Sequence, residues 1–318
     1  MTTSIDINAV RRRSDYPEDG AGAPPSEPSA TERDERAAAL ERYESLVSQM
    51  APGAAIRDPC EWLGPGPTGA EAVPYPALFV RQNSDANAID LHDIKQGYLG
   101  DCYVLATLGG LTRTSEGRTI IQNAIQENRS ATGEVVSYTV TLHQPERPLL
   151  GLGPTTFKDV KVTVSAAYVT GHAFARTDAN TSEVWPLVME RAYAAYDGPW
   201  ALCGGVVSSA MQIIIGKEAK HIGLSWYRGS YSADRLAGDL AAGKIVTFAT
   251  KRDDEQVDGS AAAHYLRPGH AYLVTGTQTV DGELYVTLHN PWDRDEPEPV
   301  AFDELKRWFA AVDIGTVR

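Results

Sequence analysis

Cys102 stands in QGYLGDCYVLATLGGL (residues 96–111), where a glycine-punctuated loop gives way to an apolar run. That position suits a nucleophile. The reactive form of cysteine is the thiolate, and a free thiol is mostly protonated at neutral pH. The first turn of a helix offers unpaired N–H groups and the positive end of the macrodipole, both of which favour an anion. Gly97 and Gly100 let the backbone approach a substrate. A cysteine entering an apolar helix is also an ordinary small core residue, so the motif alone leaves both readings open. A metal site on Cys102 is disfavoured, because no other Cys or His sits at ligand spacing.

A thiol nucleophile needs a base, and the base needs an orienting partner. His270 follows Gly269 directly in RPGHAYLVTG, at the start of a β run, and Asn290 closes the returning run in ELYVTLHNPWD. Asp281-Gly282 between them is the preferred two-residue hairpin turn, so the two ends come together. A strict turn sets His270 opposite Asp293, three positions past Asn290, or about 10 Å at strand rise. Asn290 therefore needs a bulge or longer loop to reach the imidazole, and by geometry alone Asp293 competes with it. Cys, His and Asn in that chain order fit a nucleophile, base and orienter arrangement. Gln96, six residues before Cys102, supplies a side-chain donor for an oxyanion hole whose other donor is the Cys102 N–H. His221, on a helix exit, and His264, in a polar loop, are weaker bases, since neither follows a glycine.

The elements that must position these residues read as follows. Residues 1–33 are acidic and rich in Pro, Ser and Gly, an expected disordered leader. Residues 34–74 hold a short helix (35–50) and a proline-rich connector. A helix starts at Cys102, with Val104, Leu105, Leu108 and Leu111 at helical spacing, and RTIIQNAIQEN (118–128) predicts a second. Strands are expected over 134–142 and 157–164. Two helices follow, one capped by Ser182 and carrying Pro186 early, the other closed by Gly216. Residues 75–220 thus form a helical subdomain. In residues 221–318 a helix ending at Gly243, the strand KIVTFAT and the hairpin make a β-rich one. The fold class is α+β, with a cleft between a lobe carrying Cys and a lobe carrying His and Asn. The polar loop 251–269, just before His270, is either a gate over that cleft or a plain insertion.

The chain has 318 residues, 42% hydrophobic, with a net charge of −13. So acidic a chain is a poor phosphate-backbone binder, and its one basic cluster, Arg11 to Arg13, lies in the leader, so no nucleic-acid partner is expected. No secretory h-region or membrane span is read in it, so no membrane is expected either. Three cysteines, Cys60, Cys102 and Cys203, without a CxxC pair, argue against a disulfide framework and for a reducing, cytoplasmic setting. Export by a route without a cleaved signal stays open.

Together these motifs resemble the calpain family of cysteine proteases. DIKQGYLGDCYVLATLGGL is similar to that family's nucleophile motif, WPLVMERAYAAYDG…GG to the helix and paired glycines of its first subdomain, and GHAYLVTG and NPW to its histidine and asparagine motifs. The likeness runs over roughly residues 75–315. It implies a papain-like two-lobed core with Cys102 as nucleophile, His270 as base and acid, Asn290 rather than Asp293 as orienter, and Gln96 in the oxyanion hole. It also implies that Gly205 and Gly269 bond an extended peptide, and that Trp292 shields the His–Asn bond. Asp93 and Glu183 fall where the family has first-lobe calcium ligands; the alternative is a pair of solvated helix-end carboxylates. In the second lobe that calcium match fails, although Glu296 could correspond to one ligand. The Ala- and Gly-rich composition suggests a minimal bacterial-type core. The implied activity is limited endoproteolysis of protein or peptide substrates through a Cys102 thioester, with no cofactor needed for the chemistry and calcium as a regulator still open. The alternatives are a papain-like transamidase, deamidase or isopeptidase, including a secreted effector or toxin with an inhibitor, chaperone or immunity partner, and last a non-catalytic binding protein.

Overall fold

The computed structural model of the chain describes residues 77–81, 87–97, 99–147, 153–166, 175, 183–224, 231–252 and 265–318. The leader, the connector before residue 75, Cys60, Ser182, His264 and most of the polar loop before His270 lie outside them.

The described residues form an α+β fold around two hydrophobic cores. The first gathers α1 (Cys102–Thr112), α2 (Ser115–Ala124), α3 (Trp185–Asp197) and α4 (Val207–Ile215) against a three-stranded antiparallel sheet. Its strands are β1 (Ile125–Arg129), β2 (Val135–Glu146) and β3 (Thr156–Ser165), in that order. α1 is buried along its whole length. Its sequence, CYVLATLGGLT, is apolar or small on every side, as a fully enclosed helix requires. α4 ends at Gly216, whose φ of 70° is the left-handed cap expected of a glycine there. α3 carries Pro186 in its first turn, where the missing N–H costs nothing.

One helix is shorter than the spacing predicts. α2 stops at Ala124, and Ile125–Arg129 is a strand paired with β2, Ile125 opposite Val140. Buried Ile125 gains a β partner that the helical alternative lacks, and tertiary pairing overrides the local apolar period.

The second core lies on a six-stranded antiparallel sheet with α5 (Ala233–Ala241) packed on it. Its strands are β4 (Ala219–Gly223), β5 (Ile245–Thr250), β6 (Ala271–Val280), β7 (Glu283–His289), β8 (Val300–Ala301) and β9 (Phe309–Gly315), in the order β4-β9-β5-β6-β7-β8. β6 serves both cores, because alternate side chains face opposite sides. Ala271 and Leu273 join the first core, and Tyr272 and Val274 join the second. Asp281 and Gly282 turn the β6–β7 hairpin with φ of 51° and 85°, the pair of positive values that a type I′ turn requires. No helix among the described residues is long and apolar enough to cross a membrane.

Candidate active site

Cys102 is the first residue of α1, and His270 immediately precedes β6, which packs on α1. The thiol lies against the backbone N–H of Ala271, so the two elements bring Cys102 beside the residue that follows His270. Asp101, in the N-cap position, makes no side-chain capping bond. Its carbonyl accepts from Val104 and Leu105, and the N–H groups of Cys102 and Tyr103 face the sulfur. The helix N-terminus is thus directed at the thiol, as its position in sequence suggests.

The resting thiol is nevertheless protonated. Burial pushes the Cys102 pKa up to about 12, outweighing the N–H groups of Ala271, Tyr103 and Cys102, and the Asp101 charge pushes the same way. The N–H groups of the helix end do lower the pKa, as expected, but burial raises it by more. Burial also pushes His270 down to about 4, against the opposing bond to Asn290, with the Arg267 charge adding to the lowering. Both shifts favour the neutral forms, a thiol at Cys102 and an imidazole at His270.

His270 and Asn290 are joined directly, Nε2 to Oδ1 at 2.8 Å. The Asn290 amide is oriented by its other bonds. Oδ1 also accepts from the Trp292 N–H, and Nδ2 donates to the carbonyls of Arg294 and Asp295. An Oδ1 so fixed can only accept, so Nε2 carries the imidazole proton and Nδ1 keeps its lone pair. The register explains how Asn290 arrives there. A bulge at Thr275, between the pairs Val274↔Leu288 and Gly276↔Thr287, shifts the ladder by one residue toward Asn290. β7 then ends at His289, and the chain turns through Asn290 to Trp292. Asp293, the geometric competitor, is engaged elsewhere, with Lys95 at 2.9 Å and His92 at 3.6 Å.

The rest of the pocket holds the imidazole in place. Thr250 on β5 accepts from the His270 N–H through its hydroxyl at 2.8 Å. Trp292 and Tyr272 each place a ring 4.9 Å from the imidazole, and Arg267 and Arg294 lie over the Trp292 face. Sequence reasoning missed Thr250, Tyr272 and both arginines, because the contacts that recruit them come from strand neighbours and a loop, not from any local motif.

Gln96 is buried and tied to the Asn290 loop by its own N–H, which donates to the Pro291 carbonyl at 2.8 Å. Its Nε2 donates one hydrogen to the Leu99 carbonyl at 2.6 Å. Gly205 is exposed, and a Cβ there would lie 2.4 Å from the Tyr103 ring. The close approach of Tyr103 is thus a second reason for glycine at that position. Gly269 has φ of 62° and donates to the Lys251 carbonyl.

Asp93 and Glu183 lie at the same corner but are buried, which removes the solvated-carboxylate reading. Asp93 Oδ2 accepts from the Asp90 N–H and the Trp185 indole, and Glu183 Oε1 accepts from the Val80 N–H. Among the described residues no group of three or more His, Cys, Asp or Glu side chains is disposed to hold a metal. Calcium takes six to eight oxygens, and these two carboxylates with their N–H donors do not by themselves make such a cage. Glu296 is bound by His289 Nδ1 at 2.8 Å and the Asn290 N–H at 3.0 Å. His221 sits on β4, separated from β6 by β9 and β5, and pairs with Asp313. Cys203 is disulfide-bonded, so the sparse cysteine count, which argues against a disulfide framework, does not exclude a single bridge.

A family model described as "Calpain family cysteine protease" matches residues 60–313, most of the chain. The chain belongs to the calpain family of cysteine proteases. It is similar to the calpain-type cysteine protease ADL1 of Oryza sativa subsp. japonica, 24% identical over 273 residues that cover 78% of this chain and 11% of the relative. Calpain clp-1 of Caenorhabditis elegans is 26% identical over 241 residues, 74% of this chain and 28% of the relative. The calpain-2 catalytic subunit of Gallus gallus is 27% identical over 225 residues, 68% of this chain and 30% of the relative. The chain therefore spans between about a tenth and a third of the length of these calpains.

Proposed function

We propose that this calpain-family chain is a cysteine endopeptidase that cleaves polypeptides through a thioester on Cys102. The observation that carries the reading is the His270–Asn290 bond, which leaves Nδ1 as the basic nitrogen of a residue whose neighbour, Ala271, lies against the buried thiol. The chemistry follows from that tautomer. As Cys102 Sγ attacks the scissile carbonyl carbon, its proton moves to His270 Nδ1, and the new oxyanion accepts from the Cys102 N–H and the second hydrogen of Gln96 Nε2. Collapse breaks the C–N bond, with His270 giving the same proton to the leaving amine. Water then adds to the thioester, His270 takes its proton, and the thiol is released. Asn290 holds the imidazolium in line throughout. The low resting pKa of His270 makes it a ready acid once charged, and the high thiol pKa means the ion pair forms with substrate rather than before it. Each step runs through side chains and backbone.

The test combines an epoxide thiol-protease inhibitor with an unfolded protein substrate, each with calcium and with a chelator, beside Cys102→Ala. Mass-shifted Cys102 and substrate fragments, both lost in the variant, are the expected result. A variant that cleaves as fast as the native protein overturns the reading. Calcium-dependent labelling would give the corner of Asp93 and Glu183 a regulatory role, and calcium-independent labelling would remove it.

A further inference from the structure

Gln96 and Asn290 are held by different cores. Ile94 and Leu99, on either side of Gln96, lie in the first, and Asn290 follows β7, whose Val286 and Leu288 lie in the second. The two stretches meet beside the site. The Gln96 N–H donates to the Pro291 carbonyl at 2.8 Å. One residue back, Lys95 Nζ reaches Asp293 Oδ2 at 2.9 Å, and His92 Nδ1 lies 3.6 Å from Asp293 Oδ1. The Lys95 and Asp293 side chains are 26% and 21% exposed, so solvent and salt screen this pair less than a surface one. His92, 69% exposed, adds little.

The Asp293 backbone is a separate pointer. Its φ of 52° is left-handed, a conformation that glycine adopts freely and aspartate holds at some cost. The Asp293 N–H donates to the Asn290 carbonyl at 2.9 Å, and the Asn290 amide donates to the carbonyls of Arg294 and Asp295. The turn is thus a closed unit, and a displacement of Asp293 is passed to Asn290.

We propose that Asp293 is a positioning residue: by holding Lys95 against the Asn290 turn, it keeps the Gln96–Pro291 bond closed and fixes Gln96 relative to His270 and Asn290. Its effect on rate rests on the peptidase reading, whereas the clasp itself does not. In the tetrahedral intermediate Gln96 and His270 serve one reacting centre, the first at the oxyanion and the second at the leaving nitrogen. Their separation is set where the two stretches are tied together. A misplacement of about 1 Å at such a centre costs on the order of 10²-fold in rate.

Three variants of the full chain test the clasp. Asp293→Gly suits the left-handed backbone and removes the carboxylate, Asp293→Asn keeps the shape without the charge, and Lys95→Met keeps the apolar stem without the charge. Each should stay within a few degrees of the native melting temperature. Amide hydrogen exchange in the segment holding Gln96, read by mass spectrometry, should speed up several-fold. On an unfolded protein substrate kcat should fall about tenfold or more with KM little changed. Lys95→Arg, which keeps the pair, should match the native chain in both readouts. Combining Lys95→Met with Asp293→Gly should lose no more than the worse single variant, since both remove one contact. Native exchange at Gln96 in all three variants, or losses that add in the double variant, overturns the clasp. Faster exchange with an unchanged kcat, or a kcat that falls only in step with melting temperature, overturns the positioning role. If exchange responds while the native chain cleaves nothing, the clasp stands and the peptidase reading falls.

Discussion

At the scale of single residues, the site is a contest between burial and hydrogen bonding. For Cys102 burial wins over three N–H groups, and for His270 it wins over Asn290. A resting ion pair would label readily at acid pH, because its thiolate persists down to the pKa of the pair. The neutral pair behaves differently: alkylation by a neutral reagent should rise about tenfold per pH unit across the neutral range, following the thiolate fraction. A plateau reaching below pH 6 would sink this account. Asn290 gives a second prediction. Asn290→Ala frees the imidazole to rotate and to exchange its proton between nitrogens, and kcat should fall on the order of 10²-fold with KM little changed, the usual size of a general-base effect. Steady-state kinetics on an unfolded protein substrate would check it, and an unchanged kcat would remove Asn290 from the mechanism. Residue types were the most legible part of this site. Cys102, His270 and Asn290 each stand at an element boundary, where a glycine or a turn marks them in sequence. The protonation states were not legible, because they depend on how deeply the second core covers the first.

At the scale of elements, the decisive contact is α1 on the sheet. Gly110 lets the helix approach β5 so closely that a Cβ there would lie 2.3 Å from Ile245 Cγ2. Gly110→Ala forces α1 or β5 to move and should cost about 1–3 kcal/mol, the usual range for overpacking. Because Cys102 and His270 sit on these packed elements, activity should fall further than stability. Denaturant melts beside kinetics would show it; a drop in stability with activity intact would mean that the site tolerates displacement of the helix. The hairpin also shows where sequence stops informing. Asp281-Gly282 identifies the turn, but the bulge at Thr275 carries no Gly or Pro signal of its own, since the glycine follows it at 276. A strict register therefore points to Asp293. The α2 boundary fails for a related reason: IIQNAIQEN has a helical apolar period, and only β2, further along the chain, makes Ile125 a strand residue.

At the scale of the whole molecule, the two cores meet where α1 packs on β5 and β6 and where α4 packs on β9. The second junction carries a buried charge. Asp313 on β9 is 1% exposed and accepts the Ser208 N–H in the first turn of α4, through the same oxygen that His221 Nδ1 approaches at 2.8 Å. The hydrogen bond to Asp313 raises the His221 pKa above its ordinary value, and partial burial only partly opposes it. A histidine whose folded pKa exceeds its unfolded value contributes stability that is fully present below about pH 6.5 and is lost as pH rises through the folded value. The melting temperature of the native chain minus that of His221→Gln should therefore be positive near pH 5.5 and shrink toward zero in the alkaline range. Since the His221 side chain is half-exposed, the difference should also narrow in high salt. Subtracting the variant cancels titrations that do not involve His221, including that of Asp101, whose pKa burial raises to about 6. A difference that stays flat from pH 5.5 to 8.5 would mean that Asp313 holds the junction through Ser208 alone, with no contribution from the charge on His221.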